Sequence, residues 1–253
     1  MENLVLDKGV KKSRLPAWLD LTQSGTGLVL GLFMWVHMLL ISSVLLGPGS
    51  FDFIAHMMEL SFLSPTGEGY PLAVVIAVTG IFSLFIIHAG LGMRKFPDSY
   101  KQFKTIRAQM ELLNHEDTNL WFYQVLTGFI MFFAGSVHLY IMLTHPQISP
   151  VVSAQRVFGS SMWPLYLILL ICVEYHGGIG LYRLCMKWSW FLGDDAKKGR
   201  AKLKKLKKTL TMFFLVLGVL SLIVFFLLGM KYRNAGEYPD TTKVFINYEQ
   251  IIS

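Results

Sequence analysis

Charge is scarce in this chain. Asp, Glu, Lys and Arg make up only 15% of its 253 residues, while hydrophobic residues make up 53%. That balance excludes a disordered chain and argues against an ordinary water-soluble globule. Cysteine is nearly absent: Cys172 and Cys185 stand 13 residues apart in one apolar run. About 20 Å of helix separates them, beyond disulfide reach. No CxxC or CxxCH occurs, which removes a thiol-ligated metal, a redox dithiol and a covalently attached haem. The stretch from Met1 to Asp20 has no early apolar core and no small-residue cleavage site. It reads as a retained cytoplasmic tail and not as a signal peptide. Alternating strand patterns are missing, so a membrane β-barrel is excluded, and no repeat or low-complexity segment stands out.

What is present is a set of five apolar stretches long enough to cross a bilayer: about 26–47, 71–93, 122–144, 163–186 and 210–230. Backbone polar groups in lipid must be bonded within the segment, so each stretch is expected to be a helix. The expected fold is an all-α membrane protein, a single integral membrane domain over residues 1–253. Lys8, Lys11, Lys12 and Arg14 precede the first span. The second inter-span loop carries Arg94, Lys95, Lys101, Lys104 and Arg107, and the fourth a dense run from Lys197 to Lys208. The first loop has no Lys or Arg and the third only Arg156. The positive-inside rule therefore places the N-terminus in the cytoplasm and the C-terminus outside. It also accounts for the net charge of +7 without nucleic acid. The run 197–208 reads as a solvated helix extension. A docking surface for a cytoplasmic partner or for anionic lipid is the sharper alternative.

His56, His115 and His145 fall in loops, but His37, His88, His138 and His176 fall within four successive spans. One intramembrane histidine is as readily a packing residue as a ligand. Four, one per helix, point to function because ionisable groups are costly at that depth. At 1.5 Å per residue, His88 lies roughly 8 Å and His176 roughly 15 Å from the cytoplasmic ends of their spans, His37 roughly 18 Å and His138 roughly 24 Å. They sort into an inner pair, His88 with His176, and an outer pair, His37 with His138. Two imidazoles at matching depth can take both axial positions of a haem iron, which suits electron transfer. A closed zinc site would need further ligands, and a proton relay would not need pairing.

Small residues lie near these histidines: Gly27, Gly31, Gly90, Gly92, Gly135, Gly177, Gly178 and Gly180. Ordinary small-residue helix packing is the plain alternative. Gln23, Ser24, Trp121 and Lys187 offer donors at the inner boundary for the carboxylates of an inner haem. Arg156 is the natural counter-ion for an outer one.

Together these residues resemble the single-subunit di-haem cytochrome b anchor of quinol:fumarate reductases and succinate:quinone reductases. The matching stretches are KKSRLPAWLDLTQSGTGLVLGLFMWVHM, FIIHAGLGMRKFP, NLWFYQVLTGF, GSVHLYIMLTHPQ, MWPLYLILL and VEYHGGIGLYRLCMKWSWF. They cover the first four spans, while the fifth, the first outer loop and the tail match loosely. The resemblance implies five helices in a prokaryotic inner membrane, with helices 1–4 forming a di-haem bundle. It implies two haems b, ligated by His88 with His176 and by His37 with His138. It implies a flavoprotein with covalent FAD and an iron–sulfur subunit docked on the cytoplasmic side, and menaquinol as electron donor for fumarate reduction. No dicarboxylate site is expected in this chain itself. The resemblance also implies a quinol proton acceptor at Glu59, where Asp52, His56 and Glu68 lie close enough to blur the alignment, and transmembrane proton transfer at Glu174. Three alternatives stand beside it: a menaquinone-linked succinate dehydrogenase anchor running in reverse, a cytochrome b anchor of another respiratory complex, and a proton-coupled transporter without haem.

Overall fold

The computed structural model of the chain describes residues 13–67, 69–113 and 116–238. Helices dominate, and no strand occurs among the described residues. In chain order they are α1 (Leu15–Ile41), α2 (Pro48–Met58), α3 (Pro71–Met93), α4 (Tyr100–Leu113), α5 (Glu116–Thr144), α6 (Pro150–Ala154), α7 (Trp163–Lys187) and α8 (Ala196–Ala235). Proline stands in the first turn of α1, α2, α3, α6 and α7. Its fixed φ suits a helix start, and its missing N–H removes one donor that would have no partner there. Among the described residues, α1, α3, α5, α7 and α8 are long and apolar enough to span a membrane. Their outward faces are apolar, with Val29, Val36, Ile76, Phe133, Val216 and Leu227 all exposed. This chain is a multi-pass membrane protein.

The spans run longer than the apolar stretches alone suggest. The first span, α1, begins at Leu15, so residues 15–20 belong to it and not to a tail, and the third span, α5, begins at Glu116. Lys8, Lys11 and Lys12 lie outside the described residues. The fifth helix runs unbroken for 40 residues, about 60 Å at 1.5 Å per residue. Its basic run is therefore a helical extension of the last span. Lysines near a helix N-terminus oppose the helix dipole. Asp195 offsets them as N-cap, accepting from the backbone N–H groups of Lys197 and Lys198 at 3.0 and 3.1 Å.

Four of the long helices close a ring. Packing contacts join α1 to α3, α3 to α5, α5 to α7 and α7 back to α1. Helix α8 lies outside, against α7, and touches α1 at its edge. Asp117 at the start of α5 ties the inner ends together. It accepts from the Tyr182 hydroxyl at 3.2 Å and pairs with Arg200 at 3.4 Å and Lys204 at 3.1 Å. The outer end is sealed by a core of Val44, Phe51, Ala154, Val157, Phe225 and Tyr232, built by α2, α6 and the π-turn Gln155–Gly159 against α8.

Glycine makes this close packing possible at Gly229 in α8. A methyl group there would meet the Phe158 side chain and stand 2.8 Å from the Ala154 carbonyl oxygen, a backbone atom that cannot swing aside. Gly90 in α3 has nothing within 4 Å of the same position. Gly229→Ala should cost about 1–3 kcal/mol by forcing the outer cap off α8. Gly90→Ala should be neutral or stabilising by up to about 1 kcal/mol through helix propensity. Thermal unfolding midpoints in detergent, compared with the parent chain, check both.

Candidate functional site

Each helix of the ring carries one histidine toward its centre. His37 (α1) and His138 (α5) approach to 6.3 Å between ring centroids, and so do His88 (α3) and His176 (α7). Both pairs join helices that face each other diagonally, so the contact runs across the ring and not along a packed seam. The pairing matches the one expected from depth. All four rings line a cavity of about 940 Å³, near the upper end for small-molecule sites.

Local bonds orient the inner pair. The Thr26 hydroxyl donates to the Thr22 carbonyl at 2.8 Å, which leaves its oxygen to accept from Nδ1–H of His88 at 3.2 Å. Nδ1–H of His176 donates to the Gln124 carbonyl at 2.9 Å. With Nδ1 protonated in both, Nε2 keeps its lone pair, the state a metal ligand requires. In the outer pair, His37 stacks on Phe33 and His138 packs edge-on to Tyr166, both at 5.6 Å. Nδ1 of His138 is buried without a hydrogen-bond partner.

The donor set fits a metal carried in a macrocycle. Two metal–imidazole bonds of about 2 Å, with an imidazole radius of roughly 1.1 Å at each end, span the observed centroid gap. Among the described residues no three His, Cys, Asp or Glu side chains gather as a closed ion site needs. Glycine keeps the approach to the inner pair open. A Cβ on Gly27 would stand 2.7 Å from Cε1 of His88, and one on Gly128 2.7 Å from Cε1 of His176.

Gln23, Ser24, Trp121 and Lys187 all line the inner part of the cavity. Nζ of Lys187 lies 3.2 Å from the Ser24 hydroxyl and 3.4 Å from the Asp20 carboxylate. Asp20 also holds Lys95 at 2.9 Å and Arg94 at 3.5 Å. Three cations on one carboxylate leave a surplus of positive charge at this mouth, and Arg183, which also lines the cavity, adds to it with only the Gln124 amide oxygen, at 2.7 Å, as its bonded partner among the described residues. At the outer end Arg156 lines the cavity, donating to the carbonyls of His145 and Gln147, and has no ion pair among the described residues. Burial lowers its pKa, though a guanidinium stays charged.

The two acids lie apart from the cavity lining. Glu59 caps the C-terminus of α2, and its Oε1 accepts from the Ile148 backbone N–H at 3.3 Å. Its neighbours Met58 and Ile148 line the cavity. Asp52 and His56 instead pair with each other at 3.6 Å, both well exposed, and Glu68 lies outside the described residues. Glu174 is fully buried and both its oxygens lack partners. It belongs to the α7 face that meets α8, four residues from Leu170 and from Gly178, which contact Gly218 and Thr211. Gly178 therefore spaces α7 from α8 and does not border the cavity, and Gly90 faces open space.

Asp20, Arg94, Lys95, Thr26, Gln124 and Gly128 escaped the sequence reading. Gly128 carried a signal, lying seven residues from Gly135 on the face that also presents His138. The Gln124 contribution is a main-chain carbonyl and leaves no mark in residue type.

The fold and these paired imidazoles define a class: a polytopic helical membrane protein built around an intramembrane cofactor pocket. The Succinate dehydrogenase/Fumarate reductase transmembrane subunit family matches residues 100–224. The chain is 49% identical over 241 residues to the fumarate reductase cytochrome b subunit of Wolinella succinogenes, covering 95% of this chain and 92% of that one. It is 42% identical over 230 residues to the same subunit of Helicobacter pylori strain J99, covering 90% and 88%. The chain belongs to the family of fumarate reductase cytochrome b membrane-anchor subunits.

Burial raises the pKa of Glu59 above its ordinary value, partly countered by the Ile148 N–H. Between the ordinary and the raised value the folded protein holds a proton that the unfolded chain has lost. The contribution of Glu59 to stability thus falls as pH rises through that window. A 13C NMR titration of the Glu59 carboxyl should show the raised midpoint, and Glu59→Gln should remove this slope from the pH dependence of stability.

Proposed function

We propose that this chain is the di-haem cytochrome b anchor of a menaquinol:fumarate reductase-type complex. The observation that carries the proposal is the pair of imidazole contacts across the ring, at two levels and with equal spacing. His88 and His176 hold the inner haem iron, and His37 and His138 the outer. When bound, the two haems b supply one-electron carriers with no coordination position left for substrate. The chain's own residues do the rest. Gln23, Ser24, Trp121 and Lys187 meet the inner haem's propionates, and the surplus charge around Asp20 balances them. Arg156 offers the same charge at the outer end. Thr26 and the Gln124 carbonyl keep the inner imidazoles turned toward iron.

Menaquinol oxidation is assigned to the outer end, where Glu59 is a half-buried carboxylate of raised pKa beside cavity-lining residues. Such a group takes a quinol proton more readily than an exposed one. Glu174 is the candidate for moving protons across the membrane, buried in the helix seam beside the ring. With both haems in place, electrons would pass from the outer level to the inner. The basic inner loops and the extension of α8 suit docking of the FAD-containing flavoprotein and iron–sulfur subunits. The distribution of Lys and Arg supports a cytoplasmic N-terminus, an outer C-terminus and residence in a prokaryotic inner membrane as one integral domain. The names of the relatives favour fumarate reduction over its reverse.

Pyridine haemochrome assay of the purified chain should give two haems b, and one each in His88→Ala and His138→Ala. Folded protein without haem would sink the proposal. In the assembled complex, Glu59→Gln should cut menaquinol oxidation by about 10²-fold or more, the scale of lost general-base catalysis. Both haems should remain, which stopped-flow reduction by a quinol and the visible spectrum can show.

A further inference from the structure

Two buried polar groups near the ring stand without hydrogen-bond partners. The indole Nε1–H of Trp35 has no hydrogen-bond partner, and neither oxygen of Glu174 has one. Buried donors and acceptors are almost always paired, through protein or ordered water. Both side chains belong to the seam where α1, α7 and α8 meet.

The neighbouring contacts bring them to one level. Met34 meets Gly177, which sets α1 against α7 three residues inward of Glu174. Met38 and Leu170 meet over Gly218, which closes the same seam one turn further out. Thr211 lies over Gly178, so Phe214 of α8 falls at the height of Glu174. Trp35 stacks on that same Phe214, with centroids 5.6 Å apart and rings 7° from parallel. An unpaired donor and an unpaired double acceptor thus lie in one seam at one level.

We propose that this seam holds one internal water that joins Trp35 Nε1–H to the Glu174 carboxyl and makes Trp35 the positioning residue for Glu174. One water accepts from the indole and donates to the carboxyl. It satisfies both groups where no direct bond forms. The hydroxyl of Thr211 lies one turn inward of Glu174, against Gly178. Stacking on Phe214 holds the indole plane and so fixes the direction of its N–H. Glu174 is thereby kept facing α1 and α8, on the side of α7 away from the haem cavity. The inference goes beyond the proposed electron path, because it requires only the two side chains and the seam.

The test uses the full chain with its haems reduced and diamagnetic, labelled with 15N at the six tryptophans. Trp35→Phe assigns the Trp35 indole signal. In the parent chain that signal should show cross-relaxation with water. In Glu174→Met it should move upfield, because a site left with one strong partner no longer retains its water. In Glu174→Gln it should return, because the amide oxygen accepts as the carboxyl does. An unchanged Trp35 signal in Glu174→Met would overturn the site. If that variant fails to fold, absence of water cross-relaxation in the parent chain overturns it equally. Proton transfer by Glu174 is read separately, from turnover-driven pH change in liposomes containing the complex, so the two ideas fail independently.

Discussion

A polar side chain inside a bilayer must find its partner within the protein, and that constraint organises this molecule. Lipid offers no hydrogen bond to an imidazole, a carboxyl or a backbone carbonyl at mid-membrane depth. The backbone meets the requirement by being helical throughout the spans. The four intramembrane histidines meet it by being drawn to one central cavity, where each faces another. Thr26 and the Gln124 carbonyl engage the far nitrogens of the inner pair. The ring of four helices is the arrangement that lets four separate helices present one imidazole each to a shared interior.

The ring geometry then separates packing from chemistry. Helices adjacent in the ring make the close contacts, while diagonal helices are held apart by the cavity and meet through their histidines. Glycine serves both needs, in different places. Gly27 and Gly128 clear space around imidazoles inside the ring, and Gly178, Gly218 and Gly229 let α8 lie tight against its outside. The same residue type thus opens the interior and closes the exterior, according to which face of the helix it occupies.

Charge is confined to the two ends. At the inner end Asp20 gathers Arg94 and Lys95 from the end of α3 and Lys187 from the end of α7, and Asp117 gathers Arg200 and Lys204. Exposed pairs of this kind add little to stability individually. Their value here lies in holding cations at the mouth of the cavity. The outer end has a half-buried guanidinium, Arg156, supported by carbonyls. A strongly basic inner mouth thus stands opposite a sparsely charged outer one.

The sequence by itself determined the solvent, the number of spans and the pairing of the histidines. Apolar length and the histidines' depth are one-dimensional properties, and a helix converts residue number directly into height. It also pointed to Lys187, Ser24 and Arg156, whose charge or donor type is unusual at their depth. Only the tertiary structure decided which helices are neighbours and which are diagonal, because that depends on rotation about each helix axis. For the same reason it alone revealed Gly128 beside His176, the turn of Glu174 toward α8 instead of the cavity, and Trp35 on Phe214. It alone brought Asp20 to cations up to 167 residues away in the chain. Height in the membrane can be counted along a helix; azimuth is settled only when the helices pack.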